Sequence, residues 1–324
     1  MNTDTQKMTE TGVNWRGVAA ITAAALALYV GFRSLPTGTN LHHMDFQVSG
    51  ANALEICDPT NPQFIPVVAA RSPVRLELKA ADGVPPSAGR ETTFSLTLAT
   101  SGGRPIGPVD LATVHTRKLH LLVIDPSLRD YQHLHPEPGL RPGEWVFKHT
   151  PKNTGMYRVF ADFTPMATGR GLYSFAEYEA GGGGAEEDRL ATGSTEGKSA
   201  LGVESAVDAW RFRLTTLDGG EVRADKPTTL VFSGREIGGG EVPMTLVMDA
   251  YAHLVAFDME RSGFAHLHPR GERPGDYAVS APDAREPKLY FDLTIPTPGR
   301  FVVWAQVNLA GGEHFLPYTL DVMP

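Results

Sequence analysis

Histidines recur in this chain at a spacing that suits a metal site. His120, His133 and His135 lie in the segment HLLVIDPSLRDYQHLHP, and each has a counterpart 133 residues later in the segment HLVAFDMERSGFAHLHP. Three converging imidazole nitrogens suit zinc or copper and leave one coordination position open. The candidate metal ligands are therefore His120, His133, His135, His253, His266 and His268.

Both segments predict a β-hairpin that gathers its histidines. A four-residue connection after Asp125 sets Leu122 opposite His133, and the same register in the second copy sets Val255 opposite His266. Side chains two residues apart share a face of a strand, and directly opposed Cβ atoms lie ~4.5–5.5 Å apart. We expect the three histidines of each copy to share one face at one end of the hairpin. Asp125 itself is expected to be a turn residue, because Asp forms local hydrogen bonds where a turn begins.

Apolar residues on the same face leave other interpretations open. Leu122, Ile124 and Tyr131 share it with the histidines of the first copy, so we expect this face to pack inside its own sandwich. Histidines placed there could hydrogen-bond buried backbone groups, or form a contact that responds to pH. No cofactor is required by this pattern, and copper or zinc are the possible ones.

A duplication extends well beyond the histidines. Residues 155–162 align with residues 299–306, and residues 92–96 align with residues 228–232. Each repeated unit spans roughly 110 residues, the size of one antiparallel sandwich domain. Short alternating runs broken by glycine and proline are typical of such domains. The predicted fold is all-β, with two tandem immunoglobulin-like antiparallel β-sandwiches preceded by one N-terminal transmembrane helix.

Composition predicts the boundaries of five segments. A run of four glycines, acidic residues and a Gly/Ser/Thr-rich stretch are typical of a flexible insertion. The expected segments are a cytoplasmic tail and anchor (1–33), an extended lead-in (34–66), the first sandwich (67–163), a Gly-rich insertion or linker (164–205) and the second sandwich (206–324).

Residues 17–32 form an uncharged apolar stretch close to the N-terminus. At ~1.5 Å per residue it reaches about 24 Å, slightly short of a ~30 Å hydrocarbon core unless its flanks contribute. The expected membrane-anchor residues are Trp15, Arg16, Tyr29, Phe32 and Arg33. A cleaved signal peptide is the alternative, but no small-residue cleavage site follows the stretch. We expect a single-pass inner-membrane protein with a cytoplasmic N-terminus and periplasmic C-terminal domains, since basic residues precede the helix.

Charge and motifs exclude several classes of function. The net charge of −8 argues against a nucleic-acid partner. The sequence contains no nucleophile elbow, zinc-protease motif, phosphate loop or dinucleotide fingerprint, so we expect a non-enzymatic protein without catalytic residues. Cys57 is the single cysteine, so an intrachain disulfide is excluded. It is interpreted as a small buried apolar residue, with an intermolecular link or a metal ligand as the alternatives.

The His-Leu-His-Pro segment and the later strand Gly-x-(Tyr/Phe)-x-Val-(Phe/Trp)-Ala resemble those of bacterial envelope proteins with tandem immunoglobulin- or cupredoxin-like domains. The resemblance covers roughly residues 115–163 and 248–307, and it implies extracytoplasmic β-domains, in some members linked to heavy-metal handling. This chain lacks the ligand Cys of cupredoxin copper sites, which speaks against blue-copper electron transfer.

In architecture alone, an anchor followed by two acidic β-domains is similar to the extrinsic subunits of photosynthetic and respiratory membrane complexes. The leading functional hypothesis is a structural subunit that braces such an integral membrane complex. The alternative hypothesis is a periplasmic protein that binds copper or zinc through its repeated histidines.

Overall fold

The structure is a computed structural model that describes residues 14–34, 41–46, 63–182, 204–271 and 281–324. It separates into two compact units, residues 1–40 and residues 41–324. In the first unit, helix α1 spans Trp15–Ser34. Its 20 residues give a length of about 30 Å, which matches a hydrocarbon core. The helix thus includes the charged and aromatic flanks of the apolar stretch.

The first sandwich consists of two four-stranded antiparallel sheets. Its strands are β1 (Val74–Ala80), β2 (Thr92–Thr100), β3 (Leu119–Ile124), β4 (Tyr131–Leu134), β5 (Glu137–Pro138), β6 (Glu144–His149), β7 (Gly155–Phe163) and β8 (Leu172–Ala180). One sheet has the order β1-β2-β6-β5 and the other has the order β4-β3-β7-β8. Short 3-10 helices lie at His43–Phe46 and Pro108–Asp110.

The second sandwich repeats this arrangement. Its strands are β9 (Glu204–Val207), β10 (Trp210–Thr216), β11 (Val222–Arg223), β12 (Thr228–Glu236), β13 (Met244–Thr245), β14 (His253–Asp258), β15 (Phe264–Leu267), β16 (Lys288–Leu293), β17 (Gly299–Leu309) and β18 (Gly312–Met323). The order β15-β14-β17-β18 matches β4-β3-β7-β8, and β10-β12-β16 matches β1-β2-β6. The prediction of two tandem immunoglobulin-like sandwiches after one N-terminal helix is confirmed.

Strand β3, which carries His120, is buried on both faces. All six residues of β3 are buried, and they alternate between two cores. Leu121 and Val123 point into the first sandwich, whereas Leu122 and Ile124 belong to a separate apolar cluster that joins the two sandwiches. We call this cluster the seam. It comprises Ile65, Val67, Leu122, Ile124, Leu128, Tyr131, Phe160, Val255, Phe257, Phe264 and Trp304.

The seam corrects one prediction from the sequence. The face that carries Leu122, Ile124 and Tyr131 does not pack inside its own sandwich, because it packs against the equivalent face of the other sandwich. A strand that is apolar on both sides is typical of a sheet covered on both faces. Periodicity alone cannot tell which of the two faces meets the other domain.

The boundaries of the expected insertion also differ from the structure. Strand β8 lies within residues 164–205 and pairs with β7 along its whole length, from Gly155↔Ala180 to Phe163↔Leu172. The insertion prediction is wrong for this strand, because both of its faces pack on apolar groups: Tyr173 and Phe175 lie against the seam, and Tyr178 lies in the core of the first sandwich. The four-glycine run and the stretch that follows it lie mostly outside the described residues.

Parts of the expected lead-in pack against the sandwiches. Leu41 and Phe46 are buried in the core of the first sandwich. Ile65 forms two backbone hydrogen bonds with Phe264 of the second, at 2.8 and 3.1 Å. Cys57 lies outside the described residues.

Candidate metal centre

Two aspartates shape the hairpins that carry the histidines. Asp125 accepts backbone hydrogen bonds from Arg129 at 2.7 Å and Asp130 at 2.9 Å, and Asp258 accepts one from Ser262 at 2.6 Å. Both act as turn residues, as the sequence predicts. The predicted registers are confirmed, with Leu122 opposite His133 and Val255 opposite His266.

The first set of histidines, which we call trio A, comprises His120, His133 and His135. One nitrogen from each ring lies within 4.8 Å of the others. His120 and His133 are 3 % and 4 % exposed. The three rings therefore converge in a small volume at the end of the β3–β4 hairpin.

Hydrogen bonds define which nitrogens of trio A bear protons. The backbone carbonyl of Val114 can only accept, so His120 Nε2 donates to it at 3.0 Å and His120 Nδ1 keeps its lone pair. The Gln306 amide donates through Nε2 to Glu313 at 3.4 Å, which turns its Oε1 toward His133. His133 Nδ1 therefore donates to Gln306 Oε1 at 3.0 Å, and His133 Nε2 keeps its lone pair.

Two lone pairs consequently face each other in trio A. His120 Nδ1 lies 3.2 Å from His133 Nε2, with no proton assigned to either atom. His135 Nε2 is also buried and has no hydrogen-bond partner among the described residues. Two nitrogens bound to one tetrahedral zinc at ~2.0–2.1 Å would lie about 3.3–3.4 Å apart. The distance between His120 Nδ1 and His133 Nε2 therefore suits two ligands of one cation.

The second set, trio B, comprises His253, His266 and His268 and offers the corresponding atoms. One nitrogen from each ring again lies within 4.8 Å of the others. His253 Nε2 donates to the Val247 carbonyl at 2.9 Å, and His266 Nδ1 donates to Asp162 Oδ2 at 3.1 Å. His253 Nδ1 and His266 Nε2 are buried without a hydrogen-bond partner in the described part of the chain.

These hydrogen bonds match the outer shell of known metal sites. A metal-binding histidine usually donates its second ring N–H to a carboxylate or a backbone carbonyl, which orients the ring. Val114, Val247 and Asp162 provide such acceptors for three of the six histidines, and the side-chain amide of Gln306 provides a neutral acceptor for His133. The residues present therefore fit a transition metal with imidazole ligands.

Burial keeps the six imidazoles neutral. Loss of hydration lowers the pKa of His120 to about 4 and the pKa values of His135 and His266 to about 3. Burial first, and neighbouring imidazoles second, hold the pKa values of the other three well below their usual range. Neutral imidazole is the form that binds metal.

Trios A and B lie side by side where the two sandwiches meet. The ring centroids of His133 and His266 are 5.0 Å apart, and those of His120 and His266 are 5.9 Å apart. His115 adds a seventh ring, stacked on His268 at 3.7 Å. Sequence reasoning did not predict that the two copies would combine their histidines.

Sequence reasoning also missed Asp162 and Gln306. They end the aligned segments 155–162 and 299–306, so the duplication marked them as equivalent. Each bonds to a histidine of the other sandwich, which no pattern within one copy reveals.

The predicted anchor residues lie on α1. Residues Trp15–Phe32 are long and apolar enough to cross a membrane, although a signal sequence meets the same test. Trp15, Tyr29 and Phe32 are 74 %, 64 % and 70 % exposed within this unit. Arg16 lies in the first turn, and Arg33 lies in the last. The helix suits a single-pass anchor.

A family model described as "Domain of unknown function (DUF8832)" matches residues 72–174 and 205–324, more than half of the chain. The chain belongs to the DUF8832 family. The two matched DUF8832 segments correspond to the two sandwiches. A search of curated protein sequences found no match.

Similar solved structures share little sequence with this DUF8832 protein. The Escherichia coli adhesin FdeC is 16 % identical with a TM-score of 0.24, covering 77 % of this chain and 64 % of that one. Invasin, a bacterial integrin-binding protein, is 13 % identical with a TM-score of 0.22, covering 76 % and 39 %. The D00–D0 domain of intimin is 12 % identical with a TM-score of 0.19, covering 77 % and 100 %. The chain spans less than two thirds of the length of FdeC or invasin.

Proposed function

We propose that this DUF8832 protein is a non-enzymatic, membrane-anchored protein that binds two copper or zinc ions between its sandwiches. The contact between His120 Nδ1 and His133 Nε2 carries this proposal: the other nitrogen of each ring donates elsewhere, so two lone pairs face each other at 3.2 Å, as two ligands of one cation would. The corresponding nitrogens of His253 and His266 in trio B support a second ion.

The ions would connect the two sandwiches as well as occupy them. His133 and His266 each reach an acceptor in the other sandwich, so metal binding would stiffen the seam from both sides. Storage or delivery of copper or zinc outside the cytoplasm is the role that such a centre supports, with α1 keeping it at the membrane.

Metal content of the purified full-length chain in detergent tests the proposal. The chain would be stripped with a chelator, reconstituted with copper or zinc, freed of excess metal and analysed by mass spectrometry. We expect two equivalents for the native chain. Less than a tenth of an equivalent of either metal would refute the proposal.

Variants assign the ions to the two trios. His133→Ala should abolish one equivalent and His266→Ala the other, because each removes one of three ligands. His43→Ala is the matched control, since His43 is exposed in a 3-10 helix and belongs to neither trio. Loss of both ions from the control would point to unfolding.

A structural role in a membrane complex is the second candidate. Helix α1 carries small residues every fourth position, at Ala19, Ala23, Ala27 and Gly31, a spacing that lets transmembrane helices approach closely. Such a helix favours an integral membrane partner, and a photosynthetic or other electron-transfer complex is the hypothesis. The domains would then lie in the periplasm, with the N-terminus in the cytoplasm. Co-purification after gentle solubilisation tests this role, and a solitary monomer would exclude it.

A further inference from the structure

We propose that the two trios bind different ions: trio B a divalent ion such as Zn²⁺, and trio A monovalent copper with the Met248 thioether as a fourth ligand. This inference rests on the proposed metal-binding function and adds which metal each trio prefers. Three observations carry it: the approximate two-fold symmetry of the seam, a pair of equivalent turns, and the unequal acceptors Asp162 and Gln306.

Reciprocal contacts establish the approximate two-fold symmetry. Tyr131 packs on Trp304 at 5.8 Å, and their counterparts Phe264 and Phe160 pack at 5.3 Å. Tyr131 also meets Phe315 edge-on at 5.6 Å, and the equivalent pair Phe264 and Tyr173 does so at 5.6 Å. A contact from the first sandwich to the second therefore has an equivalent in the opposite direction.

Equivalent turns precede the two histidine hairpins. His115 and Thr116 have φ angles of 46° and 67°, and Met248 and Asp249, 133 positions later, have φ angles of 50° and 62°. Isolated bridges close both turns, Val114↔Arg117 in one and Val247↔Ala250 in the other. Consecutive left-handed residues of this kind form a tight turn that projects its two side chains. His115 and Met248 thus occupy the same place in the two sandwiches.

His115 extends from its turn to the opposite trio. Its ring stacks on His268 at 3.7 Å and meets His253 edge-on at 6.1 Å. The symmetry then directs Met248 toward His135 and His120 of trio A. Trio B has the His115 imidazole at this place, and the symmetry assigns the Met248 thioether to the same place at trio A.

Asp162 and Gln306 add a difference in charge. His266 of trio B donates to a carboxylate, whereas His133 of trio A donates to a neutral amide. The Gln306 amide donates in turn to the carboxylate of Glu313, which is exposed and does not contact His133 through this chain of bonds except by way of the amide. A carboxylate that accepts a hydrogen bond from a ligand histidine makes the other ring nitrogen more basic, and so a stronger metal ligand. Its negative charge also offsets the charge of a divalent ion. Thioethers favour soft Cu(I), for which a neutral shell suffices.

Separate titrations of the full-length chain in detergent test the assignment. The chain would be stripped of metal, then titrated anaerobically with Cu(I) against a competing chelator and, independently, with Zn²⁺. X-ray absorption at the copper edge would show whether sulfur is bound. Met248→Leu removes the thioether, Asp162→Asn removes the carboxylate, and Met259→Leu is the control because Met259 is an exposed methionine of the same domain.

We expect sulfur among the Cu(I) neighbours of the native chain and of Met259→Leu, and none in Met248→Leu. Met248→Leu should weaken Cu(I) binding by at least tenfold and leave Zn²⁺ binding unchanged. Asp162→Asn should weaken Zn²⁺ binding by ~10–100-fold, the usual effect of losing an outer-shell partner, and leave the sulfur signal intact.

Cu(I) bound by nitrogen alone in the native chain would overturn the inference, even if Met248→Leu failed to fold. Equal effects of Asp162→Asn on both metals would overturn it too. In either case the proposed function would stand, because metal would still be bound. A native chain that binds neither metal would refute the proposed function itself.

Discussion

His266 Nδ1 lies 3.1 Å from Asp162 Oδ2, across the boundary between the two sandwiches. The equivalent histidine, His133, makes the equivalent bond to Gln306 at 3.0 Å. The carboxylate of Asp162 and the amide of Gln306 therefore occupy positions that the approximate two-fold axis relates. The pair of bonds joins each sandwich to the histidines of the other. The association of the two sandwiches and the proposed metal centre therefore depend on the same residues.

Replacing Gln306 by Glu should make trio A resemble trio B. Glu313→Gln is introduced in the same chain. Gln306 Nε2 lies 3.4 Å from Glu313 Oε2, so a carboxylate oxygen in place of this nitrogen would be repelled by the carboxylate of Glu313. We expect trio A to bind Zn²⁺ about tenfold more tightly, since the outer-shell group that accepts the His133 N–H becomes anionic. Competition titration measures the affinity.

Gln132→Glu is the matched control for that change. Gln132 lies next to His133 in β4, but its side chain is on the opposite face and donates to the Thr150 carbonyl. An equal gain in Zn²⁺ affinity from this variant would mean that net charge, and not the bond to His133, sets the affinity.

Tyr131→Phe should stabilise the protein or leave it unchanged. The hydroxyl of Tyr131 is buried in the seam, has no hydrogen-bond partner among the residues described, and has a pKa that burial raises well above its usual value. The equivalent residue in the other sandwich is Phe264, which lacks the hydroxyl. Removing an unsatisfied buried hydroxyl should stabilise the fold by up to ~1 kcal/mol, as urea unfolding would show.

Tyr157→Phe is the contrasting variant. The Tyr157 hydroxyl donates to Asp130 at 2.6 Å, so its removal leaves a buried carboxylate with one donor fewer. We expect a loss of ~1.5–3 kcal/mol, the range for a hydrogen bond to a charged group. If Tyr131→Phe proved as destabilising as Tyr157→Phe, the Tyr131 hydroxyl must be bonded in solution.

Without metal, the protein should lose stability in acid. The pKa values of His120, His135 and His266 fall from the ordinary 6.5 to between about 3 and 4 on folding. Below pH 6.5 the unfolded chain therefore binds protons that the folded chain does not, so the free energy of unfolding decreases as pH falls from about 6.5 toward 4. Above pH 6.5 this contribution is fully present. Urea unfolding in the presence of a chelator, from about pH 7.5 to about pH 4.5, measures this pH dependence of the free energy of unfolding. A constant unfolding free energy would show that the folded seam accepts protons.

Gly263→Ala should displace the segment around Ile65. A Cβ at position 263 would lie 1.8 Å from the Ile65 carbonyl oxygen, a distance that the backbone cannot accept. We expect a loss of ~1–3 kcal/mol, as for other overpacked sites, together with faster proteolysis of residues 63–68. Gly182→Ala is the control, because a Cβ there would meet nothing within 4 Å. Equal proteolysis of the two variants would show that the Ile65–Phe264 pairing contributes little.

The sequence alone determined the duplicated sandwiches, the register of both hairpins and the sharing of one face by each histidine trio. These features depend on local periodicity and turn chemistry, which repeat within each copy: Asp125 and Asp258 start the turns, and alternation places His133 opposite Leu122. Strand β8 was not predicted, because the Gly-rich residues that follow it directly led the whole stretch to be interpreted as a flexible insertion.

Only the tertiary structure decided that trios A and B share one seam and that Asp162 and Gln306 serve the opposite sandwich. β3 and β14 are apolar on both faces, so their sequences fit an inner core and a domain interface equally well. Which face meets the other domain depends on how two whole surfaces fit together. That fit sums many weak contacts between residues more than a hundred positions apart, and no local pattern contains it.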